Sequence, residues 1–155
     1  MQPSATFTEP LLGWRVWGVK DVIREVDGVE RTAPWLAGIG VNIHWPDRNP
    51  LEAICLRRDF PLRHSSPQPD CTCGAWALKS QERAEAMLAR LNSRPGYASH
   101  HVVGRVSLWG RIIESEHGWR AQYAYPYELV CRDHALASRL RSAYRVDVVS
   151  CPTTS

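Results

Sequence analysis

Residues 55–74 read CLRRDFPLRHSSPQPDCTCG, and they decide how the middle of the chain folds. The stretch holds Cys55, His64, Cys71 and Cys73 in the spacing Cys-x8-His-x6-Cys-x-Cys. Its prolines and lack of periodicity predict a long loop, and such a loop in a compact domain needs something to order it. Three thiols and one imidazole form the ligand set of a tetrahedral zinc site, and four protein ligands leave no open position. The sequence therefore predicts a structural Zn²⁺ bound by these four residues.

Two other interpretations use the same cysteines. Cys131 or His134, at the end of a later predicted strand, could complete a site with Cys71 and Cys73. The thiols could also be ordinary core residues, because free cysteine is among the most buried residue types. An odd count of 5 cysteines argues against a complete disulfide framework.

Length and composition predict one globular domain. The chain has 155 residues, of which 44% are hydrophobic and 23% charged. We expect a flexible lead-in over residues 1–10, a single zinc-stabilised domain over residues 11–150 and a tail over residues 151–155. The N-terminus lacks the basic and apolar regions of a secretory signal, and no apolar run reaches the roughly 20 residues that span a bilayer. The expectation is a cytoplasmic protein with reduced cysteines and no membrane partner.

The residue pattern predicts more strand than helix. Alternating apolar residues indicate strands near residues 11–20, 101–114, 119–130 and 144–150, and Asp27-Gly28 predicts a hairpin within residues 21–34. Helical spacing after Ser80, a suitable N-cap, predicts one helix to residue 92, and a second is expected from Asp133 to Tyr144. The predicted fold class is α+β: a bent, mainly antiparallel sheet or partly open barrel with two helices and a zinc-pinned loop.

Basic residues outnumber acidic ones in the second half of the chain, which also contains an aromatic hairpin. The net charge is +3, and almost all of the 19 basic residues are arginine. A guanidinium-rich surface suits phosphate, although a coding bias towards arginine would give the same composition. Tyr123, Tyr125 and Tyr127 alternate along one predicted strand and so share a face. Aromatic faces beside arginine favour base stacking, including the holding of a flipped or modified base, whereas packing in a small β-rich core is the competing explanation.

These patterns yield three functional hypotheses. The first is a non-enzymatic module that binds nucleic acid through an Arg/aromatic hairpin, with the following predicted ligand-binding residues: Arg105, Trp109, Arg111, Trp119, Arg120, Tyr123 and Tyr125. The second is a protein-interaction adaptor of phage or defence systems, since Trp, Tyr and Arg dominate such interfaces. The third is a small Cys/His-dependent hydrolase or transferase. Known catalytic motifs, including the phosphate loop and the zinc deaminase signature, are missing, so we do not expect an enzyme.

Two long segments carry a resemblance to other sequences. The segments WP…EAICL…HSSPQPDCTCGAWA (residues 45–77) and VVGRVSLWGRIIESEHGWRAQYAYP (residues 102–126) resemble small uncharacterised proteins of actinobacteria and their phages. The resemblance implies that the Cys/His motif and the later hairpin belong to one domain. The layout around GRVSLWG is also similar to that of PUA-like barrels that bind nucleic acid, which is an analogy of fold.

Overall fold

The computed structural model describes residues 5–39, 43–56, 64–93 and 100–150. The strands within these ranges are β1 (Ala5–Val26), β2 (Val29–Ala37), β3 (Leu51–Glu52), β4 (Ala75–Leu78), β5 (His100–Glu114), β6 (Gly118–Val130) and β7 (Asp147–Val149). The helices are α1 (Gln81–Asn92), between β4 and β5, and α2 (His134–Tyr144), between β6 and β7.

Four of the strands pair in a closed ring. β1 pairs with β5, β5 with β6, β6 with β4, and β4 returns to β1 through the pair Trp14↔Leu78, all antiparallel. The outer strand β2 forms a hairpin with β1, and β3 and β7 add to β6, the latter in parallel. The ring needs close backbone contact at its shortest member, β4. A Cβ atom on Gly13 would lie 2.6 Å from the Cβ of Ala77, so glycine permits β1 to approach β4 there.

Apolar residues on both faces of β1 are buried. Trp17 packs edge-to-face against Trp45, with ring centroids 5.5 Å apart, in the main core beside α2. Val16 points to the opposite face, as strand alternation requires, and packs with Val103 of β5 and Ala84 of α1. The two helices therefore cover different faces of the strands.

The predicted α+β fold with two helices is confirmed. The predicted cap of α1 is present, since the Ser80 side chain accepts a hydrogen bond from the Arg83 N–H at 3.2 Å. Asp133 caps α2 in the same way through the N–H of Leu136. The predicted hairpins at Asp27-Gly28 and before Gly118 are also confirmed.

Residues 5–10 require a correction. The sequence predicts a flexible lead-in for them, but they belong to β1, where Ala5 pairs with Ile112. The register shifts between Phe7 and Leu11, and this irregularity breaks the alternation by which a strand is recognised in sequence. Residues 1–4 and the predicted tail, residues 151–155, lie outside the described residues.

In the described part of the chain, neither helix has the length and apolar character needed to cross a bilayer.

Candidate metal centre and aromatic cleft

The four predicted ligands lie together in the folded chain. Their ligand atoms are all within 4.8 Å of one another, and we call Cys55, His64, Cys71 and Cys73 the metal group. The Sγ atoms of Cys55 and Cys71 are 3.7 Å apart, and His64 Nε2 lies 3.4 Å from Cys73 Sγ. Tetrahedral bonds of about 2.3 Å to sulfur and about 2.0–2.1 Å to nitrogen place two sulfurs about 3.8 Å apart and a sulfur and nitrogen about 3.5 Å apart. These two separations therefore match one tetrahedral ion, and all four ligand atoms lie close enough together to bind a single metal ion.

Two segments of the chain supply the metal group, and β6 pairs with the strand next to each of them. Cys55 follows β3, which pairs with β6, and the Ala53 N–H extends that pairing to the Gln122 carbonyl. The other three ligands lie in residues 64–74, which we call the metal loop and which lead into β4. Residues 57–63 of the predicted loop lie outside the described residues. Because β3 and β4 are held by the same strand, the sheet sets the separation of Cys55 from the metal loop.

The metal loop closes against β6 through a glycine. Gly74 has φ +127°, and a Cβ atom there would lie 2.9 Å from the Cβ of Arg120 and 3.1 Å from that of Pro67. Only glycine meets both the backbone conformation and the close packing at low cost. The fold therefore requires glycine at position 74, directly after Cys73.

The buried side chain of Arg120, in β6, donates hydrogen bonds to the backbone of the metal loop. The residue is only 6% exposed, and its Nη1 donates to the carbonyl oxygen of Cys73 at 2.7 Å and of Gln68 at 3.2 Å. The guanidinium also lies over the ring of Trp76, 5.5 Å from its centroid. Arg120, predicted as a ligand-binding residue, is therefore engaged in supporting the metal group.

The Cys71 thiol has an environment that favours its thiolate. Burial acts to raise its pKa, but hydrogen bonds from the backbone of Cys73 and Thr72 and with the thiols of Cys55 and Cys73 leave the pKa below its ordinary value. Thiolate is the form that binds metal. The donor set and its surroundings therefore fit a soft or borderline cation such as Zn²⁺.

The alternative ligands are engaged elsewhere. Cys131 is buried, its Sγ lies 3.5 Å from the Asp133 carbonyl oxygen, and burial raises the pKa of its thiol. The Nδ1 atom of His134 lies 2.9 Å from the Ser150 hydroxyl. Neither residue belongs to the metal group.

Two of the predicted aromatic residues, Trp109 and Tyr125, line the same cleft. Trp109 stacks on Tyr123 with centroids 5.9 Å apart and an interplanar angle of 21°. The Tyr125 hydroxyl lies 2.8 Å from the Asp47 carbonyl oxygen and 2.7 Å from that of Tyr144. Trp109 and Tyr125 both line a cleft of about 690 Å³, the aromatic cleft.

The other predicted ligand residues lie outside this lining. Arg105 forms an ion pair with Glu128 at 2.7 Å. Trp119 donates from Nε1 to Glu114 at 3.3 Å, below the ammonium of Lys79. Arg111 is partly buried, and its backbone N–H donates to the side chain of Gln122 at 3.1 Å.

Sequence reasoning missed the cations of the aromatic cleft. Arg48 and Arg145 are exposed and line it together with Asn49 and Ser107. Among the described residues, neither arginine belongs to an ion pair. Arg145 has φ 55° as the C-cap of α2, which turns the chain at the edge of the cleft. For Arg48, the sequence signal is the Pro-bounded turn PDRNP at residues 46–50, which indicates an exposed loop.

Comparison of the chain with models of protein families, with curated proteins and with solved structures gave no match.

Proposed function

We propose that this chain is a non-enzymatic, zinc-stabilised domain that binds single-stranded nucleic acid in the aromatic cleft. The observation that carries the proposal is the meeting of Trp109 and Tyr125 with two exposed arginines in one open cleft of about 690 Å³. A base would stack on the Trp109 indole, and Arg48 and Arg145 would contact the phosphates on either side.

The packing behind Trp109 supports a stacking role. Its ring already stacks on Tyr123, which fixes the orientation of the indole before a ligand binds. A base added to the other face pays little conformational entropy, because the platform is preorganised. Stacking on an aromatic side chain contributes about 1–3 kcal/mol per base and tolerates any base.

The charge of the cleft supports a polyanionic ligand. Asp47, the one acidic residue in the lining, is paired with Arg24, which leaves the positive charges of Arg48 and Arg145 in excess. We favour a single strand over a duplex because the bases of a duplex are stacked on each other and do not present their faces to Trp109.

Zn²⁺ is the ion we propose for the metal group. Three thiolates and one imidazole are typical of structural zinc, and four such ligands would fill all positions of a tetrahedral ion. The proposed role is to fix the metal loop against β6, so the ion stabilises the fold and takes no part in a reaction.

Binding to a fluorescein-labelled single-stranded oligo-dT, followed by fluorescence anisotropy, tests the proposed function. We expect Trp109→Ala to weaken binding by about tenfold or more, in line with the loss of one stacked base. Arg48→Gln and Arg145→Gln should each weaken binding and reduce the slope of log Kd against log salt by about 0.7.

Arg83→Gln is the matched control, because Arg83 is exposed on α1 and is not part of the cleft lining. It removes the same charge and should change affinity less than either cleft substitution. Equal effects of all three arginine substitutions would show that binding is nonspecific and would overturn the assignment of the cleft. A lack of binding even at low salt would end the proposal.

Elemental analysis of the purified protein tests the metal. We expect one zinc per chain, lost in Cys71→Ser because three ligands no longer close the site. Cys131→Ser is the control, since Cys131 is also a buried thiol but lies outside the metal group. Zinc retained by Cys71→Ser, or lost equally from both variants, would contradict the ligand assignment.

A protein-interaction adaptor is the second candidate function. Ile54 and Leu56, on either side of Cys55, are 64% and 50% exposed, and Trp76 is 42% exposed. Exposed apolar side chains of this size favour a protein partner when they lie together. Recovery of one defined partner after nuclease treatment, lost in Ile54→Ser, would favour this function over nucleic-acid binding.

A further inference from the structure

A second cavity lies apart from the aromatic cleft. It has a volume of about 370 Å³ and is lined by residues of β1, β4 and the middle of α1 and by residues that follow β2. Most of its lining is apolar, including Trp14, Ile39, Ile43, Leu51, Leu78 and Met87. We call it the apolar pocket, and it shares no lining residue with the aromatic cleft.

Arg15 supplies the charge of the apolar pocket. Its Nη1 donates to the Trp76 carbonyl oxygen at 2.7 Å, and its guanidinium lies 4.7 Å from the centroid of the Trp45 ring. The Nε–H is buried and has no hydrogen-bond partner among the described residues. No carboxylate in the described part of the chain pairs with this guanidinium.

The guanidinium keeps its proton at neutral pH despite this environment. Desolvation by burial lowers the pKa of Arg15 to about 10, which still leaves the group cationic at pH 7. Arg15 is half-buried, and a buried N–H donor without a partner among the described residues is costly, so an anion that reached this guanidinium would form charge-assisted hydrogen bonds.

We propose that the apolar pocket binds a small monocarboxylate with an aromatic or branched aliphatic body. The carboxylate would accept hydrogen bonds from Arg15, and the body would pack against the indole, aliphatic and thioether side chains of the lining. A cavity of about 370 Å³ is at the lower end of the range of about 300–1,000 Å³ for ligand sites, which favours a small molecule.

The lining also argues against other anions. A phosphate dianion would bring more negative charge than one guanidinium balances, and the apolar walls offer few donors for its remaining oxygens. A monocarboxylate has one charge and a planar head that matches the guanidinium fork. The ligand class therefore differs from the polyanion proposed for the aromatic cleft.

The composition of the chain provides a specific reporter for this pocket. There are only 2 methionines, Met1 and Met87, and Met87 lines the pocket. A spectrum of the ¹³C-methyl-labelled protein therefore contains two methionine methyl signals, which Met87→Leu assigns. We would titrate the protein with phenylacetate and, as the uncharged match of the same shape, with phenylacetamide.

We expect phenylacetate to shift the Met87 signal in a saturable way, with a Kd of about 1 mM or tighter. Phenylacetamide should bind at least about tenfold more weakly, because it lacks the charge that Arg15 recognises. In Arg15→Gln, phenylacetate should lose at least about tenfold in affinity and become similar to the amide, whereas the Arg83→Gln control should keep the difference.

Two results with the wild-type protein would overturn the proposal. One is equal binding of the acid and the amide by the wild-type protein, and the other is no saturable shift of the Met87 signal with either. If Arg15→Gln does not fold, the comparison of acid with amide on the wild-type protein decides the question without it. Acid binding that survives in folded Arg15→Gln would also overturn the assignment to this pocket.

Discussion

Arg120 shows how the position of one residue in a strand sets its role. The buried residues Ala124 and Pro126 of β6 share its parity along the strand, whereas the intervening tyrosines are partly or fully exposed. Alternation therefore directs Arg120 inward, and at the start of β6 the inside is occupied by the metal loop. There the buried guanidinium donates from Nη1 to the backbone carbonyl oxygens of Gln68 and Cys73.

We expect Arg120→Met to destabilise the protein by about 2–6 kcal/mol in urea unfolding. The substitution leaves the carbonyls of Gln68 and Cys73 without their donor, and each buried group left unpaired costs about 1–3 kcal/mol. Arg105→Met is the control, since Arg105 forms a partly exposed ion pair of a kind that adds little to stability. Equal losses in the two variants would contradict the structural role of Arg120.

At the scale of elements, one buried hydroxyl of α2 bonds to the backbone of both β2 and Trp45. The Tyr144 side chain, at the end of α2, accepts a hydrogen bond from the Leu36 N–H of β2 and donates to the Trp45 carbonyl, both at 2.8 Å. The residue is 1% exposed, so neither backbone group has access to water in its place. Burial raises the pKa of the Tyr144 phenol well above its ordinary value, which keeps the hydroxyl protonated and able to donate.

We expect Tyr144→Phe to lower the free energy of unfolding by about 2–6 kcal/mol. The ring still fills its place, but one donor and one acceptor on the backbone become unpaired at about 1–3 kcal/mol each. Tyr127→Phe removes the same hydroxyl from a residue that is 48% exposed and should change stability little. Chemical denaturation of both variants measures the difference, and a Tyr144→Phe protein as stable as the wild type would show that these bonds contribute nothing.

At the scale of the whole molecule, the metal group links the segment that follows β3 to the segment that precedes β4. Cys55 follows β3 and the other ligands precede β4, and both strands pair with β6. The ring of strands has its own apolar core, with Trp17, Leu36 and Leu108 fully buried. We therefore expect the ion to add to the stability of the fold and the core to supply most of it.

Removal of the metal by a chelator should lower the thermal midpoint by about 10 °C or more. An ion present at about a thousand times its Kd contributes about 4 kcal/mol, and each kcal/mol shifts the midpoint by about 2–4 °C for a chain of this size. Calorimetry with and without chelator measures the shift, and added zinc should restore the original midpoint. A midpoint that does not respond to the chelator would show that the metal group is not a zinc site.

The features that local chemistry controls could be predicted from sequence. Helix α1 was predictable because Ser80 caps it and its apolar residues repeat at helical spacing, and both signals lie within a few residues of each other. The metal group was predictable because its three thiols and one imidazole lie close together in a Pro-rich stretch of sequence without strand or helix periodicity. Their distances in space still depend on the fold. The strand residues 5–10 were missed because their pairing depends on β5, far along the chain.

The sequence by itself determined the α+β class, the two helices, the Ser80 cap of the first helix and the four residues of the metal group. Only the tertiary structure decided which aromatic and basic residues share a surface. It turned Arg120 inward, brought Arg48 and Arg145 beside Trp109, and enclosed Arg15 among apolar side chains. The physical reason is that helix formation and ligand chemistry depend on near neighbours in the chain, whereas clefts form where strands distant in sequence pair and their registers set which side chains meet.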